Sequence, residues 1–175
     1  RNEIKKKFKI KFSKKNILVS FHPITNETNI TNSTFLNLIK SLKKFEDINF
    51  FFSYPNPDPG NFFIRKNLEK ITKQNSNFFL IKSFGQKYFH SMLNEVDAII
   101  GNSSSGIIEA PSFKTATINI GNRQKGREQS NSILNCSHDV SLITKSIKKV
   151  YSKNFQKIIK KKRNIFYKKN SSDKI

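Results

Sequence analysis

Between Val96 and Phe113 the chain reads VDAIIGNSSSGIIEAPSF, with its smallest polar residues at the end of an apolar run. Gly101-Asn102 closes that run, Ser103, Ser104 and Ser105 follow, and Gly106 opens a second apolar stretch carrying one acid, Glu109. Hydroxyls and backbone N–H groups where a strand hands over to a helix are suited to holding an anion. An acid one helical turn and more beyond them can accept two hydroxyls of a ribose. The same residues also suit a plain capped turn, since serine is a favoured N-cap, followed by an exposed helix acid.

Other apolar runs end in the same manner. His22-Pro23-Ile24-Thr25 follows NILVSF, and Tyr54-Pro55-Asn56-Pro57-Asp58-Pro59-Gly60 ends NFFFSY. Lys82-Ser83-Phe84-Gly85 follows FFLI, and Gly121-Asn122-Arg123-Gln124-Lys125-Gly126-Arg127 follows ATINI. His22 has the chemistry of an acid–base group, or of a hydrogen-bonded loop residue. Asn56 lies in a stretch that turn chemistry alone would explain. Arg123 and Arg127 are forked donors suited to phosphate or ribose, or simply surface charge. Neither the P-loop lysine pattern nor G-x-G-x-x-G occurs, and no paired carboxylates or Ser/His/acid order stands out. His90, in an amphipathic stretch, and His138, in a polar loop, read as structural or solvent-facing. The chain looks better equipped to bind a phosphorylated ligand than to break bonds alone.

Those residues need a scaffold, and the apolar pattern supplies one. Short apolar runs bounded by turn residues read as buried strands, and amphipathic stretches between them as helices. Strands are expected at Asn16–Phe21, Asn49–Tyr54, Phe78–Ile81, Ala98–Gly101 and Ala116–Ile120, with another near Ser132–Asn135. Helices are expected at Ser33–Lys44, Asn61–Lys73 and Lys87–Val96, in a short segment after the serines, and from Ser141 onward. The alternation is that of βαβ units in a parallel sheet covered on both faces. Ligands bind such sheets beyond the carboxyl ends of the strands, which brings the polar strand exits to one crevice.

The chain has 175 residues, room for one domain with a real core. It starts at Arg1 and ends in NSSDKI, so it reads as a fragment of something larger. No apolar stretch approaches the ~18 residues of a membrane span. Cys136 is the single cysteine, which excludes an internal disulfide or a multi-cysteine metal site; a cytoplasmic location is expected. The net charge of +21 invites a nucleic-acid reading. Its lysines crowd 5–15 and 145–169 while the middle is nearly ordinary, as solvated faces under a composition bias would be.

With those residues in view, the sequence resembles the hydrolysing UDP-N-acetylglucosamine 2-epimerases of sialic- and nonulosonic-acid pathways. KKNILVSFHPIT is similar to the family's strand and His-Pro-x-Thr segment, FFSYPNPDPG to its Pro-Asn-x-Asp loop, and IIGNSSSGIIEAPSF with INIGNRQKGRE to its most specific blocks. NIFYKKNSSDKI resembles the stretch leading into its last helix. The order and spacing of these blocks carry the resemblance. It departs at Lys114 and Ala116, where relatives often have Gly and Pro, and at Tyr167-Lys168-Lys169.

The resemblance implies an α/β fold: a Rossmann-like, doubly wound parallel sheet that forms one domain of a two-domain, glycosyltransferase-B arrangement. Residues 1–175 would be the C-terminal, UDP-binding domain, with 1–15 a basic lead-in and 164–175 the start of a terminal crossing helix. By position Ser103 and Ser104 would hold the diphosphate, Glu109 the ribose, and Phe84 the uracil through its backbone. Arg123 would line the nucleotide side, Asn56 the sugar or phosphate side, and His22 would be catalytic, facing the reacting sugar and leaving phosphate. In the family UDP leaves by elimination across C1–C2 and water then adds, with the acids for that chemistry mostly in the N-terminal half. No metal or cofactor is expected. The partners implied are a UDP-sugar and the N-terminal domain, with homo-oligomer formation open and neither membrane nor nucleic acid expected. Competing readings are a sugar transferase of the same architecture, a basic polyanion-binding module, and a folded remnant without function.

Overall fold

Ile17 and Val19 of the first strand are buried in one apolar cluster, and Leu18 between them is buried in another. Phe50 and Phe52 repeat the split against Phe51, and Ala98 and Ile100 repeat it against Ile99. Side chains of a strand alternate between faces, so these strands are covered on both. Full burial of a phenylalanine contributes about 1.5–3 kcal/mol relative to exposure.

The computed structural model describes residues 1–24, 28–161 and 164–166. Its strands are β1 (Lys15–Ser20), β2 (Ile48–Ser53), β3 (Phe78–Ile81), β4 (Ala98–Gly101), β5 (Ala116–Ile120) and β6 (Ile133–Cys136). They form one sheet in the order β3-β2-β1-β4-β5-β6, and every pairing is parallel. Helices α1 (Asn2–Phe8), α2 (Thr28–Leu42), α3 (Asn61–Gln74), α4 (Gly85–Glu95), α5 (Ser104–Ile108), α6 (Val140–Val150) and α7 (Lys153–Lys161) connect and cover it, with a 3-10 turn at Ala110–Phe113. Residues of α2, α3, α6 and α7 fill the cluster on one face, and residues of α1, α4 and the 3-10 turn fill the other. The order reverses between β1 and β4, the switch point at which strand exits diverge and a crevice opens.

The expected strands β3, β4 and β5 have the observed bounds, and β1, β2 and β6 lie one residue away. Helix α2 starts five residues before the expected Ser33. Its first turns are rich in Thr and Asn, which carry no apolar period, but Thr31 is buried and its hydroxyl accepts the Ile24 N–H at 3.1 Å. Tertiary contact outweighs weak propensity there.

Residues 1–15, expected as a basic lead-in, begin with helix α1, which buries Ile4 and seats Phe8 against Phe84 and Tyr88. Lys114 adopts a left-handed conformation (φ 55°, ψ 33°) at the end of the 3-10 turn, a conformation in which glycine is at ease. Of the expected crossing-helix start at 164–175, residues 167–175, including Tyr167-Lys168-Lys169, lie outside the described residues, as does Thr25. Asn164 is described: its amide donates to Ile108 O and to Ser112 Oγ, both at 2.7 Å. Among the described residues no helix is long and apolar enough to cross a membrane.

Candidate functional site

Strands β1 and β4 end side by side, Ser20 opposite Gly101. Gly101 has φ 142°, and a Cβ there would lie 1.9 Å from the Ser20 carbonyl oxygen. Only glycine lets the two backbones come this close. The approach delivers Asn102 to the centre of the site, 1% exposed. Its Oδ1 accepts the His22 N–H and its Nδ2 donates to the His22 carbonyl, both at 2.8 Å. Its own carbonyl accepts Arg123 Nη1 at 3.2 Å and Gln124 Nε2 at 2.9 Å. One residue, through its side-chain amide and its backbone carbonyl, thereby ties together the exits of β1, β4 and β5. Asn102→Ala would leave the His22 N–H and carbonyl without this partner in a buried setting, and a loss of about 2 kcal/mol is expected in denaturant unfolding.

His22 sits within this frame, 8% exposed. The Asn56 backbone N–H donates to its Nδ1 at 3.1 Å, so the ring proton belongs on Nε2, which lies 3.2 Å from Ser20 Oγ. Ser20 therefore accepts from the ring and keeps its own hydroxyl proton for another acceptor. Burial, with the Arg123 guanidinium second, pushes the imidazole down to about 4, against an upward pull from the Asp58 carboxylate. His22 is neutral near pH 7.

Beyond Asn102 the chain turns into α5. Ser103 is its N-cap (φ −74°, ψ 142°), and Ser103 Oγ accepts the Ser105 N–H at 3.3 Å. The capped-turn geometry is thus present, and among the described residues the Ser103 hydroxyl proton meets no acceptor. Glu109 ends α5, its N–H bonded to Ser105 O at 3.0 Å and its carbonyl accepting the Ser112 N–H at 2.9 Å. Its Oε2 lies 2.6 Å from His90 Nε2. Phe84, the N-cap residue of α4, is buried among apolar residues.

His22, Asn56, Phe84, Ser103, Ser104, Glu109 and Arg123 all line one cleft of about 630 Å³, together with Ser20, Lys82, Ser83, Gln86, Phe89 and His90. That volume is in the range of small-ligand sites. Arg127 is not among them: with Lys125 and His138 it lines a separate recess near the ends of β5 and β6. The two arginines of the Gly121–Arg127 loop are thus divided, Arg123 to the cleft and Arg127 away from it. Sequence reasoning missed His90, Ser20 and Asn102. A histidine in an amphipathic helix has no local mark of the acid it meets, and an asparagine after a strand reads only as a turn residue. Among the described residues no group of three His, Cys, Asp or Glu side chains is placed to hold a metal ion.

Over residues 1–175 the chain matches the family model described as UDP-N-acetylglucosamine 2-epimerase. The GDP/UDP-N,N'-diacetylbacillosamine 2-epimerase (hydrolyzing) of Campylobacter jejuni is 31% identical over 157 residues, covering 89% of this chain and 40% of that protein. This chain therefore spans about 40% of the length of that curated relative. The S. aureus MnaA–UDP co-structure superposes with a TM-score of 0.72 at 17% identity, over 96% of this chain and 44% of that one. The C-terminal domain of a Francisella tularensis glycosyl transferase group 1 family protein (LpcC) gives 0.62 at 17% identity, over 95% of this chain and 89% of that one. These likenesses speak for the fold: a Rossmann-like sheet of the kind that makes one domain of the glycosyltransferase-B arrangement. The family match runs through every strand exit that lines the cleft, and the chain belongs to the UDP-N-acetylglucosamine 2-epimerase family.

Proposed function

We propose that this chain is the nucleotide-binding half of a hydrolysing 2-epimerase acting on a UDP-2-acetamido sugar, UDP-N-acetylglucosamine or its 2,4-diacetamido-6-deoxy relative. The observation that carries the reading is the convergence of polar groups from successive strand exits on one cleft at the β1/β4 switch point. Ser103 and Ser104 hold the diphosphate with their hydroxyls, and Arg123 adds a cation on the same side. Glu109 accepts the ribose hydroxyls, and the backbone at Phe84 meets the uracil. Asn56 and His22 face the sugar and the leaving phosphate, the neutral imidazole holding Ser20 so that its hydroxyl donates to a phosphate oxygen. UDP departs by elimination and water adds to the unsaturated sugar, the proton transfers being supplied by an N-terminal domain. The free thiol of Cys136 accords with a cytoplasmic protein. The pathway is of the sialic- or nonulosonic-acid type, and nucleic acid is not a partner.

Thermal unfolding of the purified chain with UDP, uridine or inorganic phosphate at matched ionic strength tests the reading. At ~10 times Kd, UDP should stabilise by about 1.4 kcal/mol, raising Tm by roughly 3–6 °C. Ser103→Ala and Glu109→Ala should each remove most of that shift. Equal shifts with phosphate, or none at millimolar UDP, would sink the proposal and leave the polyanion-binding and remnant readings ahead.

A further inference from the structure

Glu109 is fixed from two directions. Its backbone is locked where α5 passes into the 3-10 turn. Its side chain reaches α4, where Oε2 meets His90 Nε2 at 2.6 Å. A carboxylate can only accept, so Nε2 carries the proton and donates. The His90 ring is itself held, tilted against Phe113 at 5.4 Å and against Phe89 at 6.5 Å between centroids. Both partners line the cleft, and each side chain is only about one-third exposed (37% and 35%).

A glutamate with three free torsions would sweep through several rotamers, and ordering it on ligand binding would cost entropy. Here one oxygen is already fastened to a ring that cannot turn freely. We infer that His90 is a positioning residue for nucleoside recognition. By tethering Oε2 it presets Glu109, with Oε1 and the remaining lone pairs of Oε2 left to accept the vicinal 2′- and 3′-hydroxyls of a ribose. His90 thereby sets a preference for ribonucleoside over 2′-deoxyribonucleoside diphosphates. The inference rests on the nucleotide-binding reading and deepens it, since it names the part of the nucleotide this pair selects.

The test is calorimetric titration of the wild-type chain, His90→Phe and His90→Gln with UDP and with 2′-deoxy-UDP. A hydrogen bond to a charged group corresponds to about tenfold or more in affinity, so the wild type should prefer UDP by about that factor. His90→Phe keeps a planar ring against Phe113 but cannot donate; its preference should fall to within about threefold, because UDP, with two hydroxyls on Glu109, loses more affinity than the deoxy ligand, which keeps only the 3′-hydroxyl. His90→Gln, whose amide can donate to Oε2, should recover most of the preference. A merely structural role would weaken both ligands alike. Equal weakening, an unchanged preference in His90→Phe, or a wild type that binds both ligands equally overturns this inference and leaves the nucleotide reading standing. A wild type that binds neither ligand overturns both.

Discussion

Gly101→Ala is expected to destabilise the chain by about 4 kcal/mol or more, a large share of the ~5–15 kcal/mol that holds a domain folded. Two independent penalties combine. The backbone at 101 has φ 142°, which L side chains rarely adopt. The new Cβ would also lie 1.9 Å from Ser20 O, 2.6 Å from Ser20 C and 3.2 Å from Phe21 N. These are main-chain atoms at the end of β1 and just beyond it, so no rotamer change relieves the clash. Ser20 O accepts the Asn102 N–H at 3.2 Å, and β1 is paired on both sides, to β2 and β4. Separating the strands would break those bonds and pull Asn102 off His22. Gly121→Ala is the control. Its φ is 73°, but a Cβ there meets nothing within 4 Å, so only the backbone term of about 1–2 kcal/mol applies. Urea unfolding of both variants beside the wild type separates the terms. A Gly101→Ala protein whose midpoint matches that of Gly121→Ala would refute the close approach of β1 and β4.

That approach also shows what the sequence could and could not reveal. Buried strands such as Ala98–Gly101 are legible because their apolar residues stand between turn residues, and their faces are decided locally by alternation. The convergence of strand exits follows from the βαβ rhythm alone. What a glycine does at the end of β4 depends on which strand lies beside it, and the neighbour is β1, far away in the sequence. The Glu109–His90 pair is hidden for the same reason: α4 has several faces, and the packing of α4 against the 3-10 turn decides which one the histidine takes. Arg123 and Arg127 read alike as GxRxxGR, and the folded path of one loop divides them. In 1–15 the lysines mask Ile4 and Phe8, one helical turn apart, which are the residues that anchor α1. Chemistry at strand ends is written locally; the bonds that aim it are not.

His22 should make stability fall as the solution is acidified below about pH 6.5, by about 3 kcal/mol over the whole window. Its ordinary value of 6.5 is lowered to about 4 in the fold, burial first and Arg123 second. Above 6.5 both folded and unfolded chains hold a neutral imidazole, and the group contributes no slope. Between 6.5 and about 4 the unfolded chain binds a proton that the folded chain refuses, so the unfolded state gains. Below about 4 the folded ring also protonates and this contribution levels off. From pH 7 to pH 5 the loss is about 2 kcal/mol. His22→Asn retains an oxygen able to accept the Asn56 N–H but has no titrating group, so its stability should change less over the same interval. The difference between the two urea series isolates the imidazole from the carboxylates, which titrate lower and are common to both proteins. Parallel curves would mean that the ring takes up its proton in place. A doubly protonated ring cannot accept the Asn56 N–H, and the tautomer that leaves the Ser20 hydroxyl to a phosphate oxygen would go with it.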